Sequence, residues 1–130
     1  MEDERKRLGD GELELMQTIW RAGEPVNSGY VLQALQGRRT WALATVLTVL
    51  NRLVDKGFLT CEKQSRNNQY AAAVSEADYQ QKEGRTVLEK LYGNSVTGLV
   101  ASLYQGKTID DGDLEELRRF LAEQEGTHHA

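Results

Sequence analysis

Cysteine, proline and histidine are nearly missing from this 130-residue chain, at one, one and two residues. With both histidines adjacent, at His128 and His129 in a polar tail expected to fray, no Ser/His/Asp or Cys/His set can be assembled for nucleophilic catalysis. A lone Cys61 excludes an intramolecular disulfide framework and fits a reducing compartment, the cytoplasm. Placed in a strand, such a cysteine is expected to be a small buried hydrophobe. No apolar run approaches the roughly 20 residues of a membrane helix. The charged opening Met1–Arg7 leads into no apolar segment, so neither a secretory signal nor a membrane partner is expected. P-loop and dinucleotide-binding glycine patterns are missing, and nothing places two carboxylates in an apolar cleft. The chain is therefore expected to be no enzyme, with no metal site and no cofactor.

What is present is the balance of a soluble globular protein, 39% hydrophobic and 28% charged, in a length that suits one domain or a small domain with an appendage. The formal net charge of −4 is unevenly spread. Residues 1–74 carry 10 Lys+Arg against 9 Asp+Glu, and residues 75–130 carry 6 against 11. Within 36–73 six basic residues (Arg38, Arg39, Arg52, Lys56, Lys63, Arg66) face two acidic ones, Asp55 and Glu62. That asymmetry suggests a surface that meets an anion, joined to a part that does not.

Asp10 is a plausible N-cap, and Glu12 and Glu14 suit the first turn of a helix running from about Gly11 to Arg21. Leu13, Met16, Ile19 and Trp20 give it an apolar face, Trp20 as core. Asn27 caps a second helix, with Val26 and Val31 spaced as a hydrophobic staple and Gly37 as its stop. A third helix, from about Trp41 to Lys56, ends at Gly57. Its stripe of Val46, Val49, Leu50 and Leu53 is one helical face. The opposite face presents Ala44, Thr45, Leu47, Thr48, Asn51, Arg52 and Asp55, including hydroxyl, amide and guanidinium groups that grip phosphates or read base edges. Two strand-like runs, Phe58–Lys63 and Gln69–Val74, follow, with Asn67-Asn68 as the tight connection. Three short helices and a hairpin make the layout of a winged helix-turn-helix, ending near Val74.

From Ser75, which opens a capping box with Asp78, the chain reads as three amphipathic helices near 76–92, 95–105 and 111–125. Asn94 and Asp110 are the candidate caps between them. Their apolar positions include Leu88, Leu91, Val96, Leu99, Val100, Leu103, Leu114, Leu117, Phe120 and Leu121. Helices this short are not stable alone; they pack on each other, on the N-terminal unit or on a second copy of the chain. The expected class is mainly α with a small β-hairpin wing, in two parts: 1–74 as reader and 75–130 as a helical dimerisation segment.

Leu8–Trp20, the run Trp41–Gly57 and Leu114–Arg119 together resemble the penicillinase-repressor family, over roughly residues 7 to 122. The run Trp41–Gly57 is similar to that family's recognition helix: a Trp, then Thr-Val-x-Thr, then Arg-Leu and Lys-Gly. The resemblance implies a homodimer that binds an inverted-repeat operator in double-stranded DNA and blocks transcription. It also implies DNA contacts at Ala42, Ala44, Thr45, Leu47, Thr48 and Arg52, with Arg66 and Asn67 on the wing. Thr45 and Thr48 can bond phosphates or base edges, Ala44 and Leu47 can touch thymine methyls, and Arg52 can neutralise a phosphate.

The chain departs from the family at several points. Ala42-Leu43 stands where Ser-Pro is common, leaving Thr40 as the remaining side-chain cap for the helix. Ala44 and Leu47 replace basic residues. The cysteine cluster of the copper-sensing branch is missing, and Ser102-Leu103 replaces the Asn-Phe bond at which another branch is cut, so the regulatory protease or sensor is left unassigned. Arg38-Arg39 either grips phosphate ahead of the helix or solvates a loop, and Trp41 either packs or meets sugar-phosphate. The competing reading of the whole chain is a winged helix used as a protein-interaction module without DNA binding.

Overall fold

Three helices, a hairpin and three more helices succeed one another in the computed structural model, which describes residues 7–64 and 66–129. Helix α1 spans Asp10–Ala22, α2 Ser28–Leu35 and α3 Leu43–Lys56; strands β1 (Leu59–Gln64) and β2 (Asn67–Ala72) follow, then α4 (Glu76–Tyr92), α5 (Val96–Gln105) and α6 (Asp111–His129). The mainly helical class with a two-stranded antiparallel wing is as expected from the sequence. No helix among the described residues is long and apolar enough to cross a membrane.

The chain divides into two compact units, Met1–Gln81 and Lys82–Ala130. In the first, the periodic apolar positions of α1, α2 and α3 converge: Leu15, Met16, Val31, Val46, Leu50 and Leu53 are completely buried. Each such side chain contributes about 1.5–3 kcal/mol of hydrophobic stabilisation. Phe58, Leu59 and Tyr70 of the hairpin close this core, and Tyr79 of α4 joins it, its ring edge-on to Phe58 at 5.8 Å and 6.0 Å from Trp20. The Tyr79 hydroxyl accepts from the Leu8 amide, and Trp20 Nε1 donates to the Val74 carbonyl. The first unit thus runs past Val74 because Tyr79 packs into its core.

Capping departs from the sequence reading in two places. The cap of α1 is Gly9, not Asp10: the Glu12 carboxylate turns back to accept from the Gly9 amide at 2.9 Å. The cap of α5 is Ser95, which accepts from Gly98, while Asn94 takes the left-handed conformation at φ 69° and leads into it. Asn27, Ser75 and Asp110 cap as expected, accepting from the amides of Tyr30, Asp78 and Asp113. Gly57, at φ 89°, ends α3 and lets the chain reverse, so that the Phe58 amide donates to the Leu53 carbonyl.

The hairpin register pairs Leu59 with Ala72 and Gln64 with Asn67. Asn67 and Asn68 are therefore strand residues, and the connection lies two residues earlier, between Gln64 and Asn67. Cys61 is exposed and not a buried hydrophobe, because the outer strand buries only Leu59. Val26 adds an isolated bridge to Tyr70, exchanging hydrogen bonds of 3.0 and 2.7 Å, so the wing is joined at its base by the segment that enters α2.

In the second unit, α6 continues helical through His129, beyond the expected end near Glu125. Among the described residues from Lys82 onward, none is fully buried. Leu91, Val96, Phe120 and Leu121 are at least half exposed, and Leu88, Leu99, Val100, Leu103, Leu114 and Leu117 are half-buried.

Candidate nucleic-acid interface

Because one face of α3 is committed to the core, the helix must turn its other face outward. That outer face carries Ala44, Thr45, Thr48, Asn51 and Arg52, all exposed, with Leu47 half-buried at its edge. Thr45, Thr48 and Arg52 are spaced by three and four residues and form one stripe along the helix. The Thr48 hydroxyl donates to the Ala44 carbonyl at 3.0 Å. Leu43, 45% exposed, extends the apolar part of this face at its N-terminal end. The sequence reading begins this helix at Trp41 and notes Leu43 only as a departure from the family pattern, not as part of this face.

Helix α3 starts at Leu43, not Trp41, and its cap residue is Ala42 with no side-chain cap; Thr40 is exposed and does not supply one. Trp41 precedes the helix, half-buried and packed against the core cluster. Its ring lies over Gly11 of α1 so closely that a Cβ there would stand 2.8 Å from the Trp41 Cζ2 atom. Arg39 is folded over the same ring, 5.3 Å from its centroid, and is held by Glu14 of α1 through Nε at 2.8 Å and Nη2 at 2.6 Å. Arg38, beside it, is exposed.

At the other end of α3, Lys56 donates to both oxygens of Glu12, at 2.8 and 2.9 Å. Burial pushes the Glu12 carboxyl up, but the Lys56 hydrogen bond, the Gly9 amide and the charges of Lys56 and Arg52 outweigh it and hold the group below the ordinary carboxylate value. Of the six basic side chains in 36–73, Arg39 and Lys56 are thus engaged by α1. Arg38, Arg52, Lys63 and Arg66 are exposed and in no ion pair among the described residues. Arg66 and Asn67 lie exposed at the tip of the wing, with Lys63 on the adjoining strand. Among the described residues no three His, Cys, Asp or Glu side chains gather as a metal site. Ser102 and Leu103 lie within α5.

A three-helix unit with an exposed third helix and a hairpin wing defines a winged helix-turn-helix. The sequence profile of the penicillinase repressor family matches residues 8–123, and the chain belongs to that family. It is 28% identical over 117 residues to the penicillinase repressor of Bacillus licheniformis, covering 90% of this chain and 91% of that protein. It is 31% identical over 127 residues to an uncharacterised 16.5 kDa protein of Latilactobacillus sakei, covering 98% and 86%. Among solved structures, the DNA binding domain of the repressor BlaI is similar with a TM-score of 0.50 and 36% identity, over 56% of this chain and 88% of that one. Of these relatives, the Bacillus licheniformis protein and the BlaI domain are named as repressors.

Proposed function

We propose that this chain is a transcriptional repressor that binds an inverted-repeat operator as a homodimer, with α3 in the major groove and the wing on the backbone. The observation that carries the reading is the outward stripe of Thr45, Thr48 and Arg52 on a helix whose other face is locked in the core. Such a helix can enter a groove about 12 Å wide without disturbing the fold. Arg52, Arg38 and the wing residues Lys63 and Arg66 supply unpaired charge for phosphates on either side of it. The similarity to the DNA binding domain of the repressor BlaI supports the DNA-binding reading.

Homodimerisation rests on the second unit. Helices α5 and α6 carry regular apolar positions but bury none of them fully among the described residues, so a second copy of the same helices would complete their packing. Two readers held together then bind two half-sites with an avidity that one reader lacks.

The test begins with selection of binding duplexes from a random pool by the wild-type protein. An inverted repeat is expected, with affinity falling steeply as salt rises. Arg52→Ala is expected to weaken binding on all duplexes alike, whereas Thr48→Ala changes preference at particular base pairs. Recovery of no sequence, or unaltered binding by both variants, returns the chain to the class of protein-interaction modules.

A further inference from the structure

Helix α1 faces no groove in the proposed complex, yet it supplies a partner to each end of the reading helix. At the C-terminal end Glu12 holds Lys56; at the N-terminal end Glu14 holds Arg39, and the Trp41 ring rests on Gly11 beneath that guanidinium. Positions 11, 12 and 14 all fall within the first two turns of α1, so one rigid element sets both ends of α3. Arg39 spends two nitrogens on Glu14 and its guanidinium face on Trp41. It is 29% exposed in a pair whose carboxylate is 27% exposed, whereas Arg38 is exposed and in no such pair among the described residues.

From this geometry we infer that Glu14 and Arg39 are positioning residues for DNA recognition: the pair fixes where α3 begins, and Arg39 makes no phosphate contact. The inference rests on the DNA-binding reading above and divides the Arg38-Arg39 dipeptide by role. Arg38 is the free cation that meets the backbone. Arg39 is the clamp that aligns Leu43, Ala44 and Thr45 with the base edges. A misaligned helix loses base contacts, which need angstrom-level placement, before it loses phosphate contacts, which tolerate displacement.

Salt dependence separates the two roles, because each phosphate contact contributes about 0.9 to the slope of log affinity against log salt. The probes are the duplex selected by the wild-type protein and a scrambled duplex of equal length. Arg39→Met keeps the stem over Trp41 and removes the charge; Glu14→Gln keeps the shape and removes the acceptor charge. Each is expected to weaken binding to the selected duplex roughly tenfold while leaving the scrambled duplex and the salt slope unchanged. The double variant is expected to be no worse than either single, since both remove one interaction. Arg38→Ala is expected to lower the slope by about 0.9 on both duplexes.

A slope lowered by Arg39→Met, with equal loss on both duplexes, would make Arg39 a phosphate contact and overturn the inference. So would tighter binding by Glu14→Gln, which would mean that the carboxylate restrains a phosphate-seeking arginine. Unchanged selectivity in both variants would also overturn it. Failure of the wild-type protein to select any duplex would instead sink the DNA-binding reading on which the inference stands.

Discussion

Replacing Glu12 by Gln tests the more buried half of this clamp. Glu12 is 8% exposed and accepts three hydrogen bonds, one from Gly9 and two from Lys56. Glutamine can still accept from Gly9, but its amide group sets a donor against the Lys56 ammonium. A charge-assisted hydrogen bond contributes about 1.5–3 kcal/mol in full. Lys56 keeps 26% of its side chain in water, which partly replaces what is lost, leaving an expected cost of about 1–2 kcal/mol. For a unit of this size that is a fall of roughly 5–15 °C in melting temperature.

The cost is also expected to depend on pH. The folded-state pKa of Glu12 is held below the ordinary glutamate value by Lys56 and the Gly9 amide. A carboxylate lowered in this way stabilises fully above its unfolded pKa, and the contribution is lost as pH falls through the folded value. Urea denaturation followed by tryptophan fluorescence, at about pH 7 and about pH 3, measures both effects. The gap between wild type and Glu12→Gln is expected at the higher pH and is expected to shrink at the lower one. A gap of the same size at both, or none at either, would refute the assignment of this ion pair as stabilising.

Three further outcomes follow from neighbouring geometry. Gly11→Ala ordinarily favours a helix by about 0.5–1 kcal/mol, but here the new Cβ meets the Trp41 ring; overpacking costs about 1–3 kcal/mol, so denaturation is expected to show net destabilisation. A stabilised variant would mean that Trp41 does not rest on that position. Deoxyuridine in place of thymidine in the selected duplex is expected to weaken binding about two- to fivefold per methyl touched by Leu43, Ala44 or Leu47, as measured by fluorescence anisotropy; equal affinities would remove methyl contact from the mechanism. Leu117→Asp is expected to give monomers in sedimentation velocity and to cut operator affinity at least about tenfold, and a variant that stays dimeric would place the interface on other helices.

The elements themselves were legible because each has its own periodicity and stop. Val46, Val49, Leu50 and Leu53 declare the buried side of α3, and Gly57 its end, without reference to the rest of the chain. The features misread or missed depend on partners elsewhere. Asp10 resembles a cap by residue type, yet Gly9 serves because Glu12 reaches back to it. Asn67-Asn68 has turn chemistry, but register is set by the pairing of Leu59 with Ala72 across the hairpin. Arg39 and Glu14 are 25 residues apart, and neither betrays the other. The count of basic residues was therefore right in number and too generous in meaning, since two of six charges are already satisfied within the fold.

The bridge between Val26 and Tyr70 has a consequence for how the wing can move. Its two hydrogen bonds tie the inner strand to the residue that precedes the Asn27 cap of α2, and both side chains lie in the common core. Detaching the hairpin at its base therefore means freeing the start of α2 as well, and the two open as one cooperative unit. Amide exchange at Val26 and Tyr70 then reports a single event. In the proposed complex, Arg66 and Asn67, exposed at the far end of the wing, would then meet the DNA backbone from a base that stays fixed.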